Sequence, residues 1–352
     1  MAHRTQSHSS VNHSSAVEAA FLHAWYGKKR WVWWLLPIAL VYWGITLLRR
    51  YYLTSFCQTS MSVPVVVVGN ITLGGTGKTP FLITLIKKLQ AAGFNPGVIT
   101  RGYGGNPPTS TYILDESSTA AMSGDEPLSI YERTGAMVCV DRDRVAAGRA
   151  LIARGCDILL SDDGLQQYRL ARDIEIVLID GQRGLGNGMC LPVGPLREMP
   201  TRLKKADLIV LNSPNSNYLD EFSSHSPYVM AMQPNRFVKI NTRETLSLDY
   251  FRGHDVIAVA GIGNPLRFKN TLDSLEIKSQ LRAFSDHHDF QAADFLGTDN
   301  IPVIMTEKDA VKCKGFAQDN WFYLEVSGVL EEKFWRVFEK KLNSIISVAS
   351  DE

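Results

Sequence analysis

Val65-Val-Val-Val-Gly-Asn-Ile-Thr72-Leu-Gly74-Gly75-Thr76-Gly77-Lys78-Thr79-Pro80 decides the fold of this chain. Four β-branched residues predict a buried strand. A glycine-rich turn follows, and then a helix over about 79–92 with Phe81, Leu82, Leu85, Ile86 and Leu89 at helical spacing. A strand, a glycine loop and a helix opening on Lys-Thr form the setting of a phosphate-binding loop. Glycines at 74, 75 and 77 let backbone N–H groups turn onto phosphate oxygens, and the helix N-terminus adds its positive end. Thr72, Leu73, Gly74, Gly75, Thr76, Gly77, Lys78 and Thr79 are therefore the predicted ATP contacts. Lys78 would reach the β- and γ-phosphates, and Thr79 would ligate Mg²⁺. Thr72 stands where the common pattern G-x-x-x-x-G-K-[ST] has its first glycine.

Such a loop needs an acidic Mg²⁺ partner on a neighbouring strand. Asp157-Ile-Leu-Leu-Ser-Asp162-Asp163-Gly164 supplies one, an apolar run ending in two carboxylates. Hard Mg²⁺ takes such oxygens directly or through water. The sequence leaves open which aspartate faces the metal, and an Asx-type turn is the structural alternative.

Further strands are predicted at 97–100, 136–140, 157–160, 174–180 and 208–211, with helices starting near Asp125 and Val145. That alternation implies parallel βαβ units and an α/β sandwich. After Ser213 the chain turns polar, then strand-like at 228–233 and 236–241. A second, smaller α/β unit follows, with strands at 256–260 and 303–306 and helices near 265–272 and 290–296. The expected organisation is a polar tail at 1–23, a membrane-associated segment at 24–58 and a phosphate-loop domain at 59–230. A linker at 231–252, a smaller α/β domain at 253–335 and a C-terminal helix and tail at 336–352 complete it.

Within 24–58, the uncharged run Trp31–Leu48 lies between Lys28-Lys-Arg30 and Arg49-Arg50. Its length is barely that of a bilayer crossing, roughly 17–25 residues. Trp31, Trp33, Trp34, Tyr42 and Trp43 suit the headgroup level. A helix lying in the membrane surface, a single span and a helix buried on the main domain all fit. The formal net charge of +1 over 352 residues gives no broad basic face for nucleic acid. Five scattered cysteines without CxxC spacing suggest neither a zinc site nor a disulfide framework.

Several motifs occur in a fixed order beside the phosphate loop. They are Arg101-Gly-Tyr-Gly104, Gly124-Asp125-Glu126-Pro127, Ser161-Asp-Asp-Gly-Leu-Gln166, Leu191-Pro-Val-Gly-Pro-Leu-Arg197-Glu198, Ala260-Gly-Ile-Gly263 and Thr306-Glu-Lys-Asp-Ala-Val-Lys312. Together they resemble the tetraacyldisaccharide 4′-kinase family. The resemblance implies transfer of the ATP γ-phosphoryl group to the 4′-hydroxyl of a tetraacyl glucosamine disaccharide 1-phosphate, in lipid A biosynthesis. It implies a P-loop α/β/α domain and a smaller α/β/α domain joined by a two-stranded linker, and an N-terminal membrane helix. The setting would be the cytoplasmic face of the bacterial inner membrane. By the same resemblance Asp125 is the catalytic base and His287 its partner, where Asp125 alone reads as readily as a helix cap. Asp162, Asp163 and Glu198 fall near the metal, and Arg101, Tyr103, Arg144 and Arg197 near the acceptor or phosphates. A switch NTPase at the membrane is the alternative, and it would turn over without a sugar acceptor.

Overall fold

The computed structural model describes residues 11–27, 29–214, 222–286, 288–298 and 300–350. Its centre is the strand read first, β1 (Val65–Gly69), paired in parallel with β5 (Ile158–Asp162) on one side and β6 (Ile174–Asp180) on the other. Strand side chains alternate between faces. Val66 and Val68 thus enter one core layer, with Phe81, Leu85 and Leu89 of α3 (Lys78–Ala91). Val65 and Val67 enter the other, with Val145 and Leu151 of α6 (Arg144–Ile152). Burial on both faces is why the strand reads as an unbroken apolar run.

Outward from β5 lie β2 (Pro96–Thr100), β4 (Met137–Val140) and the short antiparallel β3 (Tyr112–Ile113). Beyond β6 lies β7 (Leu208–Asn212), followed by β8 (Tyr228–Lys239). The strand β8 then pairs antiparallel with β13 (Trp321–Leu330), which leads into β12 (Val303–Thr306), β10 (Asp255–Ala260) and β11 (Lys278–Ala283). A short β9 (Thr245–Leu246) hangs on β8. One sheet of 13 strands therefore runs through both halves among the described residues.

Three expectations change. The two strands expected at 228–233 and 236–241 are one continuous β8, because pairing with β13 carries the backbone through Pro234. The helix expected at 290–296 is a single 3-10 turn, Ala292–Phe295. A helix α1 (Val11–Tyr26) occupies most of the stretch read as a tail. It is held by packing that no local periodicity signals: Ala24 and Trp25 are buried, and the Phe21 ring lies 5.4 Å from Trp25 and 5.2 Å from Trp31.

The apolar segment forms a 3-10 turn at Arg30–Leu35 and then α2 (Leu36–Phe56). Pro37 sits in the first turn of α2, where its missing N–H breaks no helical bond. This is the one segment long and apolar enough to cross a membrane among the described residues.

The last helix, α9 (Glu332–Ser350), leaves the second half and packs back on the first. Phe334 is fully buried, edge-on to Phe81 at 5.8 Å and to Tyr228 at 5.4 Å. Phe334→Ala should lower unfolding free energy by about 3–5 kcal/mol, the usual loss for an emptied aromatic site. Denaturant melts of the two proteins measure this, and a change below about 1 kcal/mol would show that α9 is not integral to the first half.

Candidate active site

In an α/β sheet, ligands bind beyond the carboxyl ends of the parallel strands, where strand order reverses. Here β1, β5, β6 and β7 end at Gly69, Asp162, Asp180 and Asn212, and the order reverses around β1. The loop from Asn70 to Gly77 leaves from that point.

Asn70 staples the loop from within. Its Nδ2 donates to Thr72 O at 2.9 Å and Gly74 O at 3.2 Å, while its Oδ1 accepts from Lys78 Nζ at 3.2 Å. Gly74 and Gly77 adopt φ of +95° and +87°, the left-handed region that glycine enters without a Cβ penalty. On the far side Leu73 N donates to Pro195 O at 2.8 Å, tying the loop to the Leu191–Glu198 motif.

Asp162 and Asp163 are adjacent in sequence but differ in environment. Asp163, at φ +47°, turns the chain at the end of β5. It lies 3.4 Å from Lys78 Nζ and accepts from Arg197 Nη1 at 2.9 and 3.1 Å. Burial alone would raise its carboxyl pKa, but the Lys78 and Arg197 charges outweigh it and hold the group below the usual range. Asp162 is buried, and only one of its oxygens has a partner, the Thr100 hydroxyl at 3.4 Å. Its Oδ1 has none. Burial, together with Glu126 and Asp163, pushes its pKa up to about 7, although Lys78 and Arg144 pull it down.

Between the two halves lies a cavity of about 280 Å³ lined by Gly75–Pro80, Asp125, Arg183, Arg267 and Lys308 among others. After the short α4 (Ala120–Ser123), Asp125 opens α5 (Asp125–Thr134) as its first helical residue, and the cap position belongs to Gly124. The bland reading of Asp125 as the cap is therefore not what the backbone shows. Its Oδ2 lies 3.4 Å from Lys312 Nζ and 3.9 Å from Lys308 Nζ, both on α8 (Glu307–Cys313) of the second half. Lys308 also donates to Asp286 at 2.9 Å. Burial disfavours its charge, but Glu126, Asp125 and Asp286 prevail and raise its pKa. His287 lies outside the described residues.

A second cavity of about 310 Å³ lies between α2 and the first half. Arg49, Arg101, Arg144 and Arg197 line it with Asp163 and Glu198. Glu198 is engaged by four donors: Tyr168 Oη at 2.5 Å, Gln166 Nε2 at 3.0 Å, Arg50 at 3.6 Å and Arg202 at 3.7 Å. Arg144 is buried and donates to the carbonyls of Asp141 and Asp162, and burial pushes its pKa down to about 10. Tyr103 is exposed and lines neither cavity. Asp163 joins the two spaces, since Lys78 belongs to the first and Arg197 to the second.

The sequence did not point to Lys308, Lys312, Arg183, Arg267 or Asn212 as site residues. Each meets its partner across the fold, so no local spacing could have found it.

The strand, loop and paired aspartates define a P-loop nucleotide-binding enzyme whose cleft is closed by a second α/β unit. The family model described as "LpxK: Tetraacyldisaccharide-1-P 4'-kinase" matches residues 31–343, and the chain belongs to that family. It is 46% identical over 306 residues to a tetraacyldisaccharide 4'-kinase from Colwellia psychrerythraea, covering 85% of this chain and 88% of the relative. It is 40% identical over 338 residues to one from Hahella chejuensis, covering 93% and 97%. Among solved structures, LpxK from Aquifex aeolicus in complex with ATP superposes with a TM-score of 0.74 at 26% identity, covering 89% of this chain and all of that one.

The unequal surroundings of the two aspartates separate their variants. Asp162→Asn should raise the Mg²⁺ needed for half-maximal rate at least about tenfold, because it neutralises the carboxylate at the end of β5 whose buried Oδ1 has no hydrogen-bond partner. Asp163→Asn should act mainly on KM for ATP by loosening Lys78. Mg²⁺ titrations at saturating ATP check this, and equal shifts for both would contradict the distinction.

Proposed function

We propose that the chain transfers the γ-phosphoryl group of ATP to the 4′-hydroxyl of a tetraacyldisaccharide 1-phosphate at the membrane surface. The observation that carries this reading is that Lys78, Thr79 and Asp125 line one cavity. Asp163 joins that cavity to an arginine-lined space beside α2. ATP would lie on the phosphate loop, and the phosphorylated disaccharide head would occupy the second space. Arg49, Arg101 and Arg197 offer charge-assisted donors there. Arg144, spent on two carbonyls, shapes the wall.

Asp125 is the group to accept the sugar hydroxyl proton as the oxygen attacks phosphorus. Lys308 and Lys312 hold the carboxylate in place, and Lys78 stabilises charge on the transferring group. His287 is retained as the proposed partner of Asp125. For Mg²⁺, the unpartnered, buried Oδ1 of Asp162 fits a hard cation, with Thr79 at the start of α3 as the second protein ligand. Asp163 and Glu198 would join only by giving up the partners they have. When bound, the ion would neutralise charge on the phosphate oxygens.

Among the described residues, α2 and the turn before it present Trp34, Leu48 and Phe56 at 89, 71 and 70% exposure. A globular surface rarely leaves so many large apolar side chains together. We assign this face to the cytoplasmic leaflet of the inner membrane, where ATP is supplied, as a helix in the surface or a single span. A switch NTPase is the competing reading, and dependence on the acceptor separates the two.

The decisive experiment is transfer of label from γ-labelled ATP to tetraacyldisaccharide 1-phosphate. Asp125→Asn should cut kcat by roughly 10²–10⁴-fold. Unchanged turnover in this variant would return Asp125 to a structural role, and hydrolysis independent of acceptor would favour the switch. The double variant Trp34→Glu/Leu48→Glu should partition into liposomes at least about tenfold more weakly, since each change removes apolar burial worth a few kcal/mol. Equal sedimentation with liposomes would show that another surface holds the membrane.

A further inference from the structure

Two arginines cross the mouth of the cleft in opposite directions. Arg183, in the loop after β6, donates from Nη2 to Gly263 O of the second half at 2.6 Å. Arg267, on α7 (Pro265–Ser274) of the second half, donates from Nη2 to Asn212 Oδ1 at 3.0 Å and to Ser213 Oγ at 2.6 Å. Asn212 ends β7 and is 1% exposed. While its oxygen accepts from Arg267, its Nδ2 donates to Thr76 O of the phosphate loop at 3.0 Å.

The chemistry of the partners allows only one orientation of this amide. A guanidinium only donates and a carbonyl oxygen only accepts, so Oδ1 must face Arg267 and Nδ2 must face Thr76. In a trans peptide the C=O and the following N–H point to opposite sides. Anchoring Thr76 O on Asn212 therefore turns the Gly77 N–H away from Asn212. The contact is close: a Cβ added to Gly77 would stand 2.4 Å from Asn212 Nδ2. No side chain fits between the amide and the loop.

We propose that Asn212 is a positioning residue that couples the seating of the second half, through Arg267, to the orientation of the Thr76–Gly77 peptide that receives the ATP phosphates. The proposal rests on reading Thr72–Thr79 as the phosphate loop. Coupling of this kind is reciprocal, so bound ATP also favours the seated position of the second half.

Asn212→Asp is the discriminating variant. It keeps an acceptor for Arg267, now a charged one, but sets oxygen against oxygen at Thr76. A role confined to holding the halves together would tolerate it. With the full chain, Kd for ATP from equilibrium binding should rise roughly tenfold, within the usual span of site coupling. KM for ATP should rise in parallel, KM for the acceptor should stay within about twofold, and Tm should remain near that of the parent. Arg267→Met leaves Asn212 intact and should produce the same split, and the double variant should be no worse than Asn212→Asp alone. Unchanged ATP affinity in either folded single variant, or fully multiplicative losses in the double, would overturn the proposal. Should Asn212→Asp fail to fold, Arg267→Met alone decides. Lys78→Ala serves as the reference. If it too binds ATP normally, the phosphate-loop reading falls; if it alone loses affinity, only the coupling does.

Discussion

The strand β8 is hydrogen-bonded along one edge to β7 and along the other to β13, and the cleft depends on that double allegiance. Its first residues, Tyr228–Met230, pair in parallel with Val210–Asn212 of the first half. From Met230 to Lys239 it runs antiparallel to Leu330–Phe322, whose neighbours are the strands of the second half. The bulge between Glu325 and Val326 adds local twist to this ribbon. Arg133, from α5 of the first half, reaches that same point. It donates to Val326 O at 3.2 Å and pairs with Glu307 at 2.7 Å and Glu325 at 3.5 Å. A helix carrying Asp125 at one end is thus fixed at its other end to the ribbon and to the first residue of α8. Lys308 and Lys312 follow on α8 at the spacing of one helical face, and so they meet Asp125.

Charge in the site is arranged by partner rather than by number. The chain is almost neutral, at +1, yet cations and carboxylates gather at the strand ends. Asp163 and Glu198 are supplied with donors from Lys78, Arg197, Tyr168 and Gln166. Asp162 has only the Thr100 hydroxyl at 3.4 Å, and its open Oδ1 lies on the last residue of a buried strand, where an unmatched carboxylate is costly. A cation at that oxygen, as proposed for Mg²⁺, would relieve the imbalance.

What was legible in the sequence was whatever a short window can hold. The run Val65–Val68, the glycines at 74 and 77 and the Lys-Thr pair announce strand, loop and helix because backbone preference and burial act locally. The strands at 158–162, 174–180 and 208–212 follow from the same signal. Long-range features were closed to it. Nothing around Asn212 shows that its amide meets Thr76, 136 residues earlier in the chain. Residues 11–26 lack a clear apolar stripe, so only contact with Trp31 and Val193 reveals why they form a helix. Asp125 lies between these cases. Its helix start could be read, but its lysine partners could not.

The return of α9 to the first half affects how the chain is made. Its phenylalanines complete the layer beneath α3, so a core begun at Val66 is finished only by Phe334 and Phe338. On a ribosome adding about 5–20 residues each second, α2 emerges well before α9 exists. The phosphate-loop half cannot close its core during that interval. The apolar segment proposed to meet lipid is thus exposed while the enzyme behind it is still incomplete. If the segment attaches as proposed, attachment can precede folding, and α9, made after the strands of both halves, seals the nucleotide-binding half.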